Sequence, residues 1–461
     1  MKLRPGLLAT AAALCITAGV ARTQYVEDSI EVPGAWVGSL TYNSQADVVY
    51  GTCEMADAVF AIYCPTNIMF RRLAARDARF VVYDSIDNKA YASCGWEGAE
   101  SLFVVDGRNH ILLGGFSVPG ASRLVWEATR NRLYVTCTSE NSVAVVDCAS
   151  DSVIGQIAVG VGPGVLHLNT RRGKLYVQNY DDASVSIIDL ATNQVIKTIQ
   201  VGGYPNAGYY ASHVDKYYCA SDPGDDAIVA IDGLTDSVVA HVPIMPNGFV
   251  HGIGGSDATD VVLAEAYNVH SAVYAIDAKA DTLVSTVDVS STIYSIICGP
   301  ATGFLYCALD DVDSVLVVDP GGTTVVNALP VGDAPSVLLP VPAHSRLYLG
   351  HLNGNKVYVI RDSSTGVTEG RSAIRPRQSG LVANPNPFTQ SVAVSLNSPV
   401  EDGHVARVYA QDGRSVRQAQ IPAGEVRWVW DGRDDAGAPL PPGVYVLETG
   451  SGVRAKVVKL R

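Results

Sequence analysis

Between residues 26 and 361 the chain runs in short apolar bursts, β-branched and aromatic, each closed by Gly, Pro, Asn or Asp. Such segments predict β-strands. No stretch of helical period competes with them beyond the N-terminal leader. The bursts recur. Ser-Val-Ala-Val-Val-Asp at 142–147 returns as Ser-Val-Ser-Ile-Ile-Asp at 184–189, and then at 227–232, 272–277 and 314–319. A copy stands upstream at 101–106, and weaker ones end at Tyr63 and Arg361. The eight end points (63, 106, 147, 189, 232, 277, 319 and 361) lie 43, 41, 42, 43, 45, 42 and 42 residues apart.

Each period reads as four strands: an opening stretch such as 122–126, a Leu-Tyr-Val strand such as 133–135 or 175–177, the Asp-ended strand, and a last segment such as 195–201. Period, strand count and turn chemistry predict an all-β chain built on a β-propeller. The first three strand types occur eight times. The fourth occurs seven times within the array, and an eighth copy, Asp-Ser-Ile-Glu-Val-Pro at 28–33, stands ahead of everything. Residues 29–33 are therefore expected beside 356–360, completing the last blade and removing an open sheet edge. Eight blades result, or seven if the poor repeat at 36–63 is not a blade.

The Leu-Tyr-Val strands, the Val-x-Val-Ile-Asp strands and the Ile-x-Val-Gly-x-x-Pro segments, as in Ile157 to Pro163 and Ile199 to Pro205, resemble YVTN-type β-propeller repeats over residues 26–361. The resemblance implies a fold and leaves function open, because propellers serve unrelated roles.

A second pattern begins after a Ser-, Thr-, Gly- and Arg-rich stretch at 362–383, read as a linker. Strands are expected at 391–396, 404–409, 425–430, 444–448 and 455–460, with turns at Asp412-Gly413, Asp431-Gly432 and Pro441-Pro442-Gly443. They predict a small antiparallel β-sandwich over 384–461. The succession Asn384-Pro-Asn-Pro-Phe388, Tyr409 to Arg414, Trp430-Asp-Gly-Arg433 and Gly443-Val-Tyr445 resembles a FlgD-like immunoglobulin module, and is similar to C-terminal sorting domains of type IX secretion substrates. The resemblance implies recognition by an export and anchoring apparatus. Locally, Trp430 reads as a core residue and Asp431-Gly432 as a turn.

Charge separates the two regions. Residues 23–361 hold 36 acidic and 18 basic side chains, a balance of −18, whereas 384–461 hold eight acidic and nine basic. Such a surface repels phosphate backbones, so nucleic acid is excluded as a partner. Lys2 and Arg4, the uncharged apolar run from Leu7 to Val20 and the small residues Gly19-Val20-Ala21 compose a secretory signal over 1–21. Leu14, before Cys15, does not suit a lipidation site. No later run is long enough to cross a bilayer as a helix. The expected location is outside the cell or on its surface.

The recurring Asp106, Asp147, Asp189, Asp232, Asp277 and Asp319 stand around a ring, too far apart for paired chemistry, and are expected to close turns through side-chain-to-backbone bonds. Among the cysteines, Cys53, Cys94 and Cys137 share one position of the second strand, Cys219 and Cys307 another, while Cys64 and Cys148 follow the third strand. With a turn at 139–142, Cys137 is expected opposite Ala144 and far from Cys148, so buried free thiols are expected. The nine histidines share no repeat position, and neither Gly-x-Ser-x-Gly nor His-Glu-x-x-His occurs. No catalytic residue, metal set or cofactor is therefore assigned.

One feature stands out. The loops joining second to third strands carry Glu54 and Asp57; Glu97 and Glu100; Glu140; Asp181 and Asp182; Asp222, Asp225 and Asp226; Glu265; and Asp310, Asp311 and Asp313, with no basic residue before Lys356. All lie on one face of a propeller. Its plainer meaning is a solvated rim; its functional meaning is a face for a cationic protein or ligand, or for calcium. The expected role is a non-enzymatic binding scaffold delivered by its C-terminal module. The alternative is a lactonase-like or quinoprotein-like propeller enzyme, which needs a converging His/Glu/Asp set near the axis.

Overall fold

In the computed structural model, described residues run from 24 to 460, apart from 96–100, 222–226, 246–247, 257–258, 269–270, 290, 333, 364–380, 385–387, 397–403, 411–413, 422–426 and 449–453. The leader at 1–21 lies outside them. The described chain is all-β, relieved by three short 3-10 turns at Glu54–Ala56, Thr138–Glu140 and Pro342–His344. No helix among the described residues is long and apolar enough to cross a membrane.

Among the described residues up to 362, eight four-stranded antiparallel sheets form. Ala121–Glu127, Arg132–Cys137, Ser142–Asp147 and Ser152–Ala158 make one of them. The poorest repeat also forms a sheet, from Val37–Asn43, Val48–Cys53, Ala58–Tyr63 and Ile68–Ala74. The first strand of each sheet packs on the first strand of the next, and the last, Pro335–Val341, packs on Val37–Asn43. The innermost strands thus close a circuit, which is a propeller.

Burial follows strand position. Second and third strands are buried along nearly their whole length, as in Leu175, Tyr176 and Val177, because sheets cover both their faces. The outer strand Ser152–Ala158 is exposed at all but one position. Those residues explain why the second and third strands read as continuous apolar runs in the sequence.

The N-terminal strand Gln24–Glu31 pairs with Lys356–Asp362, with Ser29 opposite Tyr358 and Glu31 opposite Lys356. It supplies the outer strand of the last sheet. Glu27 holds it there, with Oε2 accepting from Arg346 Nε at 2.8 Å and meeting Arg361 Nη2 at 2.9 Å.

The strand-ending aspartates close their turns. Asp189 Oδ1 accepts the backbone N–H of Ala191 at 2.9 Å and of Thr192 at 2.8 Å, and Asp106, Asp232 and Asp277 repeat the arrangement. Asp319 accepts from Gly321 and Thr323, while Asp147 instead takes the Ser150 hydroxyl at 2.6 Å.

A second, interblade bond emerges beside them. A tyrosine of several second strands reaches the turn of the next sheet: Tyr91 donates to Asp151 at 2.6 Å, Tyr134 to Asn193 at 2.8 Å and Tyr218 to Asp281 at 2.6 Å. Asp151, Asn193 and Asp281 have positive φ (50°, 55° and 54°), which Asn and Asp tolerate better than most side chains.

None of the eight described cysteines is in a disulfide, and seven are buried. Burial pushes the thiols of Cys94, Cys148, Cys219 and Cys307 up to about 12, so they remain protonated and inert. The register corrects one expectation: Cys137 faces Ser142, and Ala144 faces Val135. The turn is tighter than expected, a 3-10 turn at Thr138–Glu140 followed by Asn141 at φ 50°.

The C-terminal module has two sheets, one ordering Leu381–Asn384, Val392–Leu396 and Arg427–Trp430, the other Ser415–Ile421, His404–Ala410, Gly443–Glu448 and Arg454–Lys459. Leu381–Asn384 and Ser415–Ile421 were not anticipated. Most of the 362–383 stretch lies outside the described residues, but both its ends carry strand. Asp362 is buried and accepts from the Tyr306 hydroxyl at 2.9 Å and the Ala301 N–H at 2.7 Å.

Candidate functional site: the channel mouth and its rim

The second-to-third turns gather at one mouth of the channel, and first strands enter from the same side. Five predicted rim residues, Glu97, Glu100, Asp222, Asp225 and Asp226, lie outside the described residues. The other nine divide by environment.

Three are structural. Asp57 accepts the N–H of Asp77 at 2.9 Å, Asp182 that of Val161 at 2.7 Å, and Asp313 that of Ala334 at 2.9 Å. Each carboxylate pins the connection leading into the next sheet, and Asn141 does the same for Gly162 at 3.1 Å. Glu54 is held by Arg79 at 2.7 Å; burial raises its pKa and Arg79 opposes the rise. Glu140, Asp181 and Asp311 are exposed. Asp310 is half-buried, and burial together with Asp311 and Asp313 raises its pKa.

Glu265 corrects the sequence reading. It sits inside the strand Val261–Tyr267, not in a loop, and is fully buried. Its Oε2 lies 3.6 Å from His251 Nδ1 and accepts the His251 backbone N–H at 3.4 Å, while Oε1 has no partner. Burial raises the Glu265 pKa, and His251 offsets part of that. Tyr294 flanks the imidazole, with ring centroids 5.8 Å apart. This pairing escaped the sequence reading because His251 belongs to a first strand with no counterpart histidine in other repeats. Among the described residues no group of three or more His, Cys, Asp or Glu could hold a metal.

The face is not of one sign, a second correction. Arg79 and Arg123 rise from first strands into a cavity of about 630 Å³ at the mouth, which Tyr180, Asp181 and Asn206 also line. Counting charges in the second-to-third loops alone missed these arginines, since the neighbouring sheet contributes them. Arg123 lies over the Phe80 ring, 4.5 Å from its centroid. Behind it His167, with its Nδ1 3.3 Å from the Tyr217 hydroxyl, is pushed down to about 4 by burial and by the charge of Arg123, and so is neutral at pH 7.

Comparison with solved structures supports the fold. BamB from Moraxella catarrhalis superposes with a TM-score of 0.56 at 14% identity, covering 73% of this chain and 99% of that one. The computationally designed Ika8 protein gives 0.57 at 13%, covering 72% and 98%. A chain of a mitotic checkpoint complex gives 0.51 at 15%, covering 67% and 95%. At such identities the likeness is one of fold alone. No curated protein matches the chain. Residues 387–450 match the family of FlgD Ig-like domains, so the chain carries a FlgD Ig-like domain at its C-terminus, behind a β-propeller.

Proposed function

We propose that this protein is an exported, non-enzymatic binding scaffold: an eight-bladed propeller of YVTN-type repeats that presents its channel-mouth face to a cationic partner. Its C-terminal module acts as the export and anchoring signal of a type IX secretion substrate, leaving the propeller outside the cell or on its surface. The observation that carries the binding role is the set of exposed carboxylates Glu140, Asp181 and Asp311 on one face. Glu140 and Asp181 stand in the loops of adjacent sheets and reinforce one another within a screening length of about 8 Å at physiological salt, while Asp311, three sheets further on, extends the negative face around the ring.

Spermine and polylysine, titrated at two ionic strengths, test this reading. Binding should weaken as salt rises and fail in the triple variant Glu140→Lys, Asp181→Lys, Asp311→Lys. Calcium binding would instead survive moderate salt and raise thermal stability by linkage. If none of the three binds, the carboxylates serve solubility alone. For export, deletion of residues 384–461 should trap a folded propeller inside the cell.

The His251–Glu265 pair favours a second reading, a lactonase-like propeller enzyme in which His251 acts as general base. Turnover across a lactone panel, lost in His251→Gln, would establish it over the first.

A further inference from the structure

Arg79 and Arg123 enter the same cavity, yet their charges are treated differently. Arg79 is answered by Glu54 at 2.7 Å and by Asp77 at 3.3 Å. Among the described residues no carboxylate bridges Arg123, whose guanidinium lies over the Phe80 ring, 4.5 Å from its centroid. A guanidinium stacked on an aromatic face is held in place, with its planar donor fork turned to whatever fills the cavity. The Arg123 side chain stays open to solvent at the edge of the cavity, where an incoming ligand can reach it. His167 shows that the charge is felt locally, because Arg123 helps to keep that imidazole neutral. A guanidinium that no carboxylate answers keeps its planar fork of donors available for a bidentate pair with an incoming carboxylate.

The cavity is also built by omission. Gly164 lies on its wall, and a side chain there would project into open space, with nothing within 4 Å of its Cβ. A Cβ on Gly95 would strike Arg79 at 2.2 Å, so glycine there makes room for that arginine. Pro163, Val165 and Pro205 supply apolar wall, and Ser122 and Ser139 hydroxyls. At about 630 Å³ the space matches a small organic ligand.

We propose that this cavity is a binding site for a carboxylate carried on an apolar body, with the carboxylate paired to the Arg123 guanidinium. A single unpaired guanidinium suits a monoanion. Asp181 on the wall and the carboxylates of the rim repel dianions such as phosphate esters. The same chemistry is offered by a free organic acid and by the C-terminal carboxylate of a polypeptide entering the channel. The site shares Asp181 with the rim, but it takes a ligand of the opposite sign through Arg123.

Calorimetric titration of the mature full-length protein tests the proposal with three probes: 4-phenylbutyrate, an Ala-Leu-Phe peptide with a free C-terminus, and inorganic phosphate. Phenylbutyrate or the peptide should bind, and C-terminal amidation should abolish peptide binding. Binding of both points to a free acid or a chain end, and binding of the peptide alone to a chain end. Arg123→Gln should weaken binding about tenfold or more. Gly164→Val, which fills the cavity and leaves Arg123 untouched, should block it as well, so the test survives if Arg123→Gln misfolds. Binding unchanged in Gly164→Val, tighter binding of phosphate than of phenylbutyrate and peptide, or binding of no probe would overturn the assignment. Spermine binding stays unaffected by Gly164→Val, which separates this site from the rim.

Discussion

The Tyr348 hydroxyl donates to Asn67 Oδ1 at 2.8 Å, joining the last sheet of the propeller to the first across 281 residues of chain. Both residues are buried, and Asn67 holds φ 54° at the turn after Tyr63. The bond repeats at the seam what Tyr134 and Asn193 do within the array, so closure reuses an ordinary interblade contact.

Removing the hydroxyl should therefore leave a buried acceptor unsatisfied. Tyr348→Phe is expected to cost about 1–3 kcal/mol, measured by urea denaturation. Tyr134→Phe should cost a similar amount. Asn67→Gly keeps the left-handed backbone, and pairing it with Tyr348→Phe in a double-mutant cycle should show strong non-additivity. Additive losses would mean that the two side chains are not coupled.

The N-terminal strand supplies a second test of closure. Without residues 24–33 the strand Lys356–Asp362 becomes an open edge, which invites pairing between molecules. Truncation is expected to give oligomers by light scattering, and a peptide of residues 24–33 should reverse them. Burial raises the Glu27 pKa, but Arg346 and Arg361 outweigh it and hold the carboxyl below its ordinary value of 4.5. Its contribution is present above that value and is lost as pH falls through the lower folded one. Glu27→Gln should accordingly remove part of the acid-side loss of stability.

His110 sets a different window. It occupies the turn position that Asn67 holds in the first sheet, at φ 55°, and its Nδ1 lies 2.6 Å from the Tyr50 hydroxyl. Burial, with Arg71, pushes its pKa from 6.5 down to about 4. The unfolded chain thus takes up a proton that the fold refuses, and stability declines as pH drops from 6.5 towards 4. His110→Asn keeps the turn and offers Tyr50 an amide, so that decline should flatten while stability at pH 7.5 changes little. A decline of unchanged steepness would assign the effect to His167 and the carboxylates.

The propeller was legible because its information is periodic: an Asp ends one strand, Leu-Tyr-Val marks another, and the spacing repeats. The interblade bonds were written in the same register, four residues after each anchor, at Asn67, His110, Asp151, Asn193, Asp236 and Asp281. They went unread because their partners lie one blade away, a relation that only the closed ring creates. Glu265 was misplaced for a local reason. It interrupts the run Val261–Tyr267 and resembles a loop carboxylate, yet no turn residue precedes Asn268. The arginines at the channel mouth were hidden by geometry, since first strands and second-to-third turns meet only in space.

The C-terminal module has a core of its own, and Trp430 is its centre. The indole packs edge-on against Phe388 and Tyr445, with ring centroids 5.4 and 5.1 Å away, and its Nε1–H donates to the Arg433 carbonyl at 2.9 Å. Beneath the following turn the buried Lys459 amine donates to the carbonyl of Gly432 at 3.2 Å, and to that of Leu440. Gly432 takes φ 70°, and a Cβ there would meet the Lys459 side chain at 2.8 Å. Trp430→Ala removes both the ring contacts and a satisfied donor, at about 3–5 kcal/mol. For a module of this size, stabilised by a few kcal/mol more than that at most, such a loss is close to complete unfolding. Gly432→Ala strains the backbone and crowds Lys459, and should destabilise less. Calorimetry of the full chain should then show a transition that disappears in Trp430→Ala and moves down in Gly432→Ala, while the propeller transition keeps its midpoint. A single transition shifting as a whole would show that the two modules unfold as one unit.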